Sequence, residues 1–203
     1  MNWYWILYIG LGYVLGSIPF ALVIGKFFYH TDVRNYGSGN LGGTNAGRVL
    51  GKKAGISVIV CDILKVVVAV GIVSLYDQEA SIWAGFTACL GHCYPLFAHF
   101  HGGKAVATMF GFLVSTSLFT FQNAWYVVIP LIAFLIVLYI GKMVSLASMC
   151  AAVVSTLYIT FMQASISMEV VIASWLLTIL VIYRHRSNIV KIKNGNENKI
   201  TWL

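Results

Sequence analysis

Acidic side chains are almost missing from this sequence. Six of its 203 residues are Asp or Glu against thirteen Lys and Arg, and charged residues make up only 9% of the chain. So low a charge content excludes a soluble globular domain of ordinary composition. The shortage of carboxylates also argues against a metal centre and against a site for a cationic substrate. Cysteine is nearly as rare. Cys61, Cys89, Cys93 and Cys150 all fall in apolar runs and none forms a C-x-x-C pair, so the four read as buried small apolar residues. Cys89, His92 and Cys93 share a helical neighbourhood, but no second ligand pair of usual spacing accompanies them, and no metal is expected. A basic n-region and a small-residue cleavage site are both lacking around Met1-Asn2-Trp3, so a signal peptide is not expected.

What the chain has instead is apolar length, since 60% of its residues are hydrophobic. Apolar runs at 3–26, 56–76, 82–99, 105–121, 124–140, 144–163 and 169–183 are each near the length a bilayer core requires. Charge placement orients them. Twelve of the thirteen Lys and Arg fall in four short segments: Lys26 to Lys53, Lys104, Lys142, and Arg184 to the C-terminus. The alternate connections carry Asp77, Glu79 and Glu169 without a Lys or Arg. By the positive-inside rule, the expected fold is all-α and polytopic, with seven transmembrane helices, the N-terminus outside and the C-terminus cytoplasmic. Residues 1–203 are read as a single membrane-embedded domain. The net charge of +7 then reflects loops facing anionic headgroups or an anionic substrate, and nucleic acid is not an expected partner.

The basic segments also hold the polar chemistry. The first runs Gly37-Ser38-Gly39-Asn40-Leu41-Gly42-Gly43-Thr44-Asn45, with Arg48 following. Its glycines allow positive φ and close backbone approach, its short polar side chains add donors, and Arg48 supplies a fork suited to phosphate. Gly43, Gly47, Gly51 and Gly55 recur every four residues, the spacing of a close helix contact along one face. The second segment carries Gly91-His92…Pro95 and then Gly102-Gly103-Lys104. A Gly-Gly-Lys opening a helix aims N–H groups and a cation at an anion, although the Walker A spacing is absent. Pro95 is expected to kink the span that holds His92. The third is Arg184-His185-Arg186-Ser187-Asn188, with His185 and Asn188 one turn apart. A weaker fourth segment places Ser145 and Ser148 after Lys142. Asp62 and Lys65 lie three apart within a span and read as a structural ion pair that supports the site by orienting Arg48 or Lys104.

Donors and cations are in excess in these segments, where Asp32 and Glu197 are the only carboxylates. Two or more negative charges are the ligand such an inventory suits. The motifs Gly37-Ser38-Gly39-Asn40…Gly42-Gly43-Thr44-Asn45, Gly91-His92…Pro95…Gly102-Gly103-Lys104…Thr108 and Arg184-His185…Asn188-Ile189 resemble those of the bacterial acyl-phosphate-dependent glycerol-3-phosphate acyltransferases. Two departures stand out: Gly43 where that family usually has Ala, and Ala105 where it usually has Gly. Ala costs about 1 kcal/mol or more if the backbone there takes positive φ.

The resemblance implies transfer of a fatty acyl group from acyl phosphate to the 1-hydroxyl of glycerol 3-phosphate, the first acylation of phospholipid synthesis, at the cytoplasmic face of the bacterial inner membrane. It implies Ser38, Arg48, Lys104, His185 and Asn188 around the glycerol phosphate as catalytic residues. Gly37, Gly39, Asn40, Gly42, Gly43, Thr44, Asn45, His92, Gly102, Gly103 and Ser145 would bind substrate. Thr44, Asn45 and the glycine backbone would hold the acyl phosphate and its developing oxyanion. An activated donor requires no enzyme nucleophile, so no cofactor and no obligatory protein partner are expected beyond the two substrates and membrane lipids. The H-x-x-x-x-D motif of soluble-domain acyltransferases is absent. A small transporter for a phosphorylated metabolite is the alternative, but such a protein should carry polar residues on several spans along a path, often with an internal repeat, and neither is seen here.

Overall fold

A computed structural model describes residues 3–163 and 167–200; Met1 and Asn2, part of the stretch read for a signal peptide, lie outside them. The described residues are helical, with no strand among them. The chain divides into two compact units, one ending at Ser115 and the other beginning at Thr116.

The first unit contains α1 (Tyr4–Gly16), α2 (Phe20–Tyr29), α3 (Gly43–Leu50), α4 (Lys52–Ser74), α5 (Gln78–Cys93) and α6 (Val106–Ser115). The first expected span is therefore two helices. Pro19 interrupts the hydrogen-bond ladder, with a break over Ser17 to Pro19. Helix α1 lies against α5 at backbone distance. A Cβ at Gly12 or Gly16 would collide with the carbonyls of Ala84 or Ala88, and one at Gly91 with that of Tyr13. This is small-residue packing, reinforced where Thr87 Oγ1 donates to the Ile9 carbonyl at 2.9 Å and Tyr13 Oη to that of Tyr94 at 2.8 Å. Helix α4 packs on both α5 and α6.

Two expectations are corrected here. The four-residue glycine repeat does not line a single helix. Gly51, at φ 98°, is the turn between α3 and α4, with nothing near its missing side chain. Gly43, Gly47 and Gly55 instead form the contact between the two helices, where a Cβ on Gly55 would stand 2.7 Å from Gly47 Cα. Pro95 ends its helix and does not kink it. Tyr94 is forced out of helical geometry (φ −131°, ψ 64°), as a residue before proline tends to be. A short 3₁₀ turn, Leu96–Ala98, follows in place of the rest of the expected span.

The second unit holds a π turn at Thr116–Thr120, then α7 (Trp125–Gly141), α8 (Val144–Gln163), α9 (Met168–Arg184) and α10 (Arg186–Lys193). The separation expected near Gln122 and Asn123 is present. Polar side chains stitch its helices together: Thr156 Oγ1 donates to the Ser174 carbonyl at 2.9 Å, Thr178 Oγ1 to that of Ala152 at 2.9 Å, and Gln163 to Tyr126.

By length and composition, Tyr4–Tyr29, Lys52–Ser74 and Val144–Gln163 can cross a membrane, and Met168–Arg184 with Arg186–Lys193 qualifies as a pair bent by 56°. Val106–Thr120 and Trp125–Gly141 are apolar but shorter. Large apolar side chains such as Phe161, Ile140, Phe27 and Leu75 point outward, as a hydrocarbon solvent permits. The fold is that of an all-helical membrane protein.

Candidate active site

In the first unit the glycine-rich loop is braced by one buried side chain. Asn45, 2% exposed, accepts from the Ser38 N–H at 2.8 Å and donates to the carbonyls of Val33 and Tyr36 at 3.0 and 3.3 Å. The sequence suggested Asn45 as a ligand of the acyl phosphate. In the structure its amide is committed to shaping the turn, and a Cβ on Gly37 would strike its Oδ1. Gly37 and Gly39 both take positive φ, at 62° and 67°, which explains the glycines. Ser38, Thr44 and Arg48 are exposed, with Thr44 and Arg48 one turn apart on α3. Gly42, in extended conformation, leads into α3, whose first N–H groups have no partner within the helix. The side-chain oxygen of Asn40 is buried and accepts no hydrogen bond. Gly43 is occupied by packing against Ile59 and Gly55.

The loop entrance is held by charge. Arg34 grips Asp32 through Nε at 3.0 Å and Nη2 at 2.6 Å, with Lys26 at 3.5 Å. The Arg34 hydrogen bond holds the Asp32 carboxyl far below the usual range against a smaller opposing effect of burial, and the Arg34 guanidinium is raised in turn. The stabilisation from this depressed carboxyl is present above its unfolded pKa and disappears only as pH falls through the lower folded value. The loop entrance therefore stays pinned throughout the neutral and mildly acidic range.

The second motif lies on the same core. Ala98 is buried with Val33, Leu41 and Ala46 of the first loop. Beyond it, His99, Phe100 and Ala105 all take left-handed φ, at 54°, 60° and 60°. Gly102 and Gly103 are wedged against His92: the Gly103 N–H donates to the His92 carbonyl at 3.0 Å, and a Cβ on Gly103 would collide with the imidazole. Lys104, half-buried, is thereby delivered to the N-terminus of α6. His92 itself is 5% exposed, with its Nδ1 turned towards Lys65 and Asp62.

In the second unit, His185 occupies the bend between α9 and α10. It is 3% exposed, and its Nδ1–H donates to the Val181 carbonyl at 2.8 Å, since a carbonyl can only accept. Ser145 Oγ and Asn188 Nδ2 donate to the same oxygen of Glu197, at 2.6 and 2.7 Å. Sequence reasoning counted Glu197 only as a stray carboxylate. Its position in a polar tail gave no pattern, and the one available signal was its rarity among so many donors.

Glycine-shaped, cation-bearing loops at helix N-termini suit phosphate and other anions. Comparison with known proteins makes this specific. Residues 6–195 match the family model described as glycerol-3-phosphate acyltransferase. A curated glycerol-3-phosphate acyltransferase of Listeria welshimeri is 47% identical over 197 residues, covering 95% of each chain. That of Geobacillus kaustophilus is 44% identical over 193 residues, covering 95% of this chain and 94% of its own. A crystal structure of PlsY, an integral membrane glycerol 3-phosphate acyltransferase in its glycerol 3-phosphate form, superposes with TM-score 0.88 at 33% identity, covering 97% of this chain and 96% of the other. The chain belongs to the glycerol-3-phosphate acyltransferase family, of the PlsY type.

Proposed function

We propose that this protein transfers a fatty acyl group from acyl phosphate to the 1-hydroxyl of glycerol 3-phosphate, releasing lysophosphatidic acid and phosphate. The observation that carries this reading is the pairing of two anion-suited helix starts in one unit, α3 with Thr44 and Arg48 and α6 with Lys104, with no carboxylate between the loop glycines and either cation. Two phosphorylated substrates call for two such places. Solved PlsY structures in glycerol 3-phosphate and lysophosphatidic acid forms support the acceptor and the product.

In the reaction, the acceptor hydroxyl oxygen attacks the acyl carbonyl carbon. The carbon–oxygen bond to phosphate breaks, its electron pair leaves with the phosphate, and the hydroxyl proton passes to that same phosphate. The donor's phosphate serves as base because Asp32 is gripped by Arg34 and His92 is turned into the core. Backbone N–H groups at the start of α3 stabilise the developing oxyanion, and Arg48 and Lys104 neutralise phosphate. The acceptor oxygen of Asn40 takes a hydrogen bond from a glycerol hydroxyl. Ser38 supplies a further donor, and Asn45 acts through the loop it shapes. His185 and Asn188 are kept as polar ligands of substrate on the strength of their motif, and Ser145, which shares the Glu197 oxygen with Asn188, is kept with them. Held geometry carries most of the rate.

The same reading makes residues 1–203 one membrane-embedded domain, supported by a family match that runs through both units. It gives seven spans, with the basic loops and the chemistry on the cytoplasmic face of the bacterial inner membrane. With purified protein in lipid, lysophosphatidic acid should form rapidly from palmitoyl phosphate and glycerol 3-phosphate. Equal or faster formation from palmitoyl-CoA would defeat the donor assignment.

A further inference from the structure

Three ionisable residues in the interior of the first unit have no part in the chemistry above. Asp62 and Lys65 lie on α4, three residues apart, with side chains 1% and 2% exposed and the ion pair closed at 2.8 Å. Buried charge inside an apolar helix is costly unless it is satisfied and used. Lys65 makes the ion pair with Asp62 Oδ1 at 2.8 Å and reaches two further atoms, the Ile18 carbonyl at 2.9 Å and His92 Nδ1 at 3.1 Å. Both oxygens of Asp62 are buried and accept no hydrogen bond among the described residues, so the carboxylate is held by charge alone. The Ile18 carbonyl is exposed by the break that Pro19 makes between α1 and α2, so Lys65 ties that break to α4.

The third contact orients the histidine, whose Nδ1 lies 3.1 Å from Lys65 Nζ and 3.4 Å from Asp62 Oδ1. The Nε2 edge is the one on which Gly103 rests, and a Cβ at Gly103 would collide with it. The His92 carbonyl takes the Gly103 N–H at 3.0 Å, and Gly102 has no room for a side chain against that carbonyl and Pro95. The series runs without a gap from Asp62 through Lys65 and His92 to Gly103, and the next residue is Lys104.

We propose that Asp62, Lys65 and His92 form a buried positioning cluster that sets where the Gly102-Gly103-Lys104 loop stands, and so tunes the grip on the phosphate of glycerol 3-phosphate. In place of the substrate contact expected of His92, this assigns all three residues a positioning role. Asp62 and Lys65 hold the imidazole in one orientation, and the imidazole is the floor of the loop. No Cβ fits between the ring and Gly103, so a shift of the ring passes to the loop. This rests on the reading that Lys104 contacts the acceptor's phosphate.

The test is a calorimetric titration of glycerol 3-phosphate into purified protein without any donor, which keeps it apart from the donor assignment. The variants are Lys104→Ala, the neutral pair Asp62→Asn/Lys65→Met, and all three changes together, with thermal unfolding followed in each. The neutral pair should weaken binding about tenfold, and should add nothing once Lys104 is Ala, because interacting residues are non-additive. An unchanged affinity in the neutral pair would overturn the proposal, as would an equal loss with and without Lys104, which would mark a general structural role. An unchanged affinity in Lys104→Ala alone would also overturn it, and would place the fault in the assignment of Lys104. Should the neutral pair fail to fold, His92→Asn disturbs the stack from its other end. It keeps a polar group towards Lys65 and removes the ring from under Gly103, and it should weaken binding with the same dependence on Lys104.

Discussion

Ala105 illustrates how a single residue can hold a local conflict. It is fully buried at φ 60°, a conformation that disfavours any side chain, and it links Lys104 to α6. Ala105→Gly should therefore raise stability by about 1 kcal/mol through relief of this strain, measured as a higher midpoint of thermal unfolding, with activity retained. A fall in the midpoint would show that the methyl group's packing outweighs the strain. The strained position was legible beforehand from Ala at a place where glycine is usual. The commitment of Asn45 was not legible, because an asparagine among glycines reads the same whether it binds a ligand or braces the turn. Its three hydrogen bonds show the bracing role. Likewise the i, i+3 spacing showed that Asp62 and Lys65 could pair, while His92, twenty-seven positions further on, could not be joined to them by any periodicity.

Among the elements, the hairpin of α3 on α4 bears most directly on the proposed chemistry, since it carries Thr44 and Arg48. Its two helices touch through Gly43, Gly47 and Gly55, with no room for a Cβ at Gly55. Gly55→Leu should push α3 outward, displace Arg48 and lower kcat/KM by about 100-fold, the scale seen when a transition-state contact is lost. Gly51→Ala meets no neighbour and should cost only the strain of its φ 98°, ψ 163° backbone, about 1–3 kcal/mol of stability. Parallel losses of activity in the two variants would show that the contact does not govern the site. Sequence spacing revealed the glycine face but not the fold-back, because a four-residue repeat persists in register across a one-residue turn. The ends of α1 and α5 were missed for a related reason. Hydropathy runs straight through Pro19 and Pro95, whereas the backbone cannot.

For the molecule as a whole, the arrangement of charge makes a directional claim. If the basic loops face the cytoplasm, single cysteines placed at Lys53, Lys142 and Lys193 in a cysteine-free background should resist an impermeant thiol reagent in intact cells. Cysteines at Asp77 and Glu169 should react. Labelling at Lys53 from outside would invert the topology. The helical class and the polar loops were both readable from composition, charge placement and motif. The division into two compact units was not, since every apolar run looks alike and the partners of each helix depend on side chains distant in sequence.

Acceptor-dependent release of phosphate from palmitoyl phosphate by the purified protein tests the central claim most directly. The account predicts release only when glycerol 3-phosphate is present, one lysophosphatidic acid formed per phosphate, and loss of both in Lys104→Ala. Phosphate released at the same rate without acceptor would make the protein a hydrolase and contradict the account.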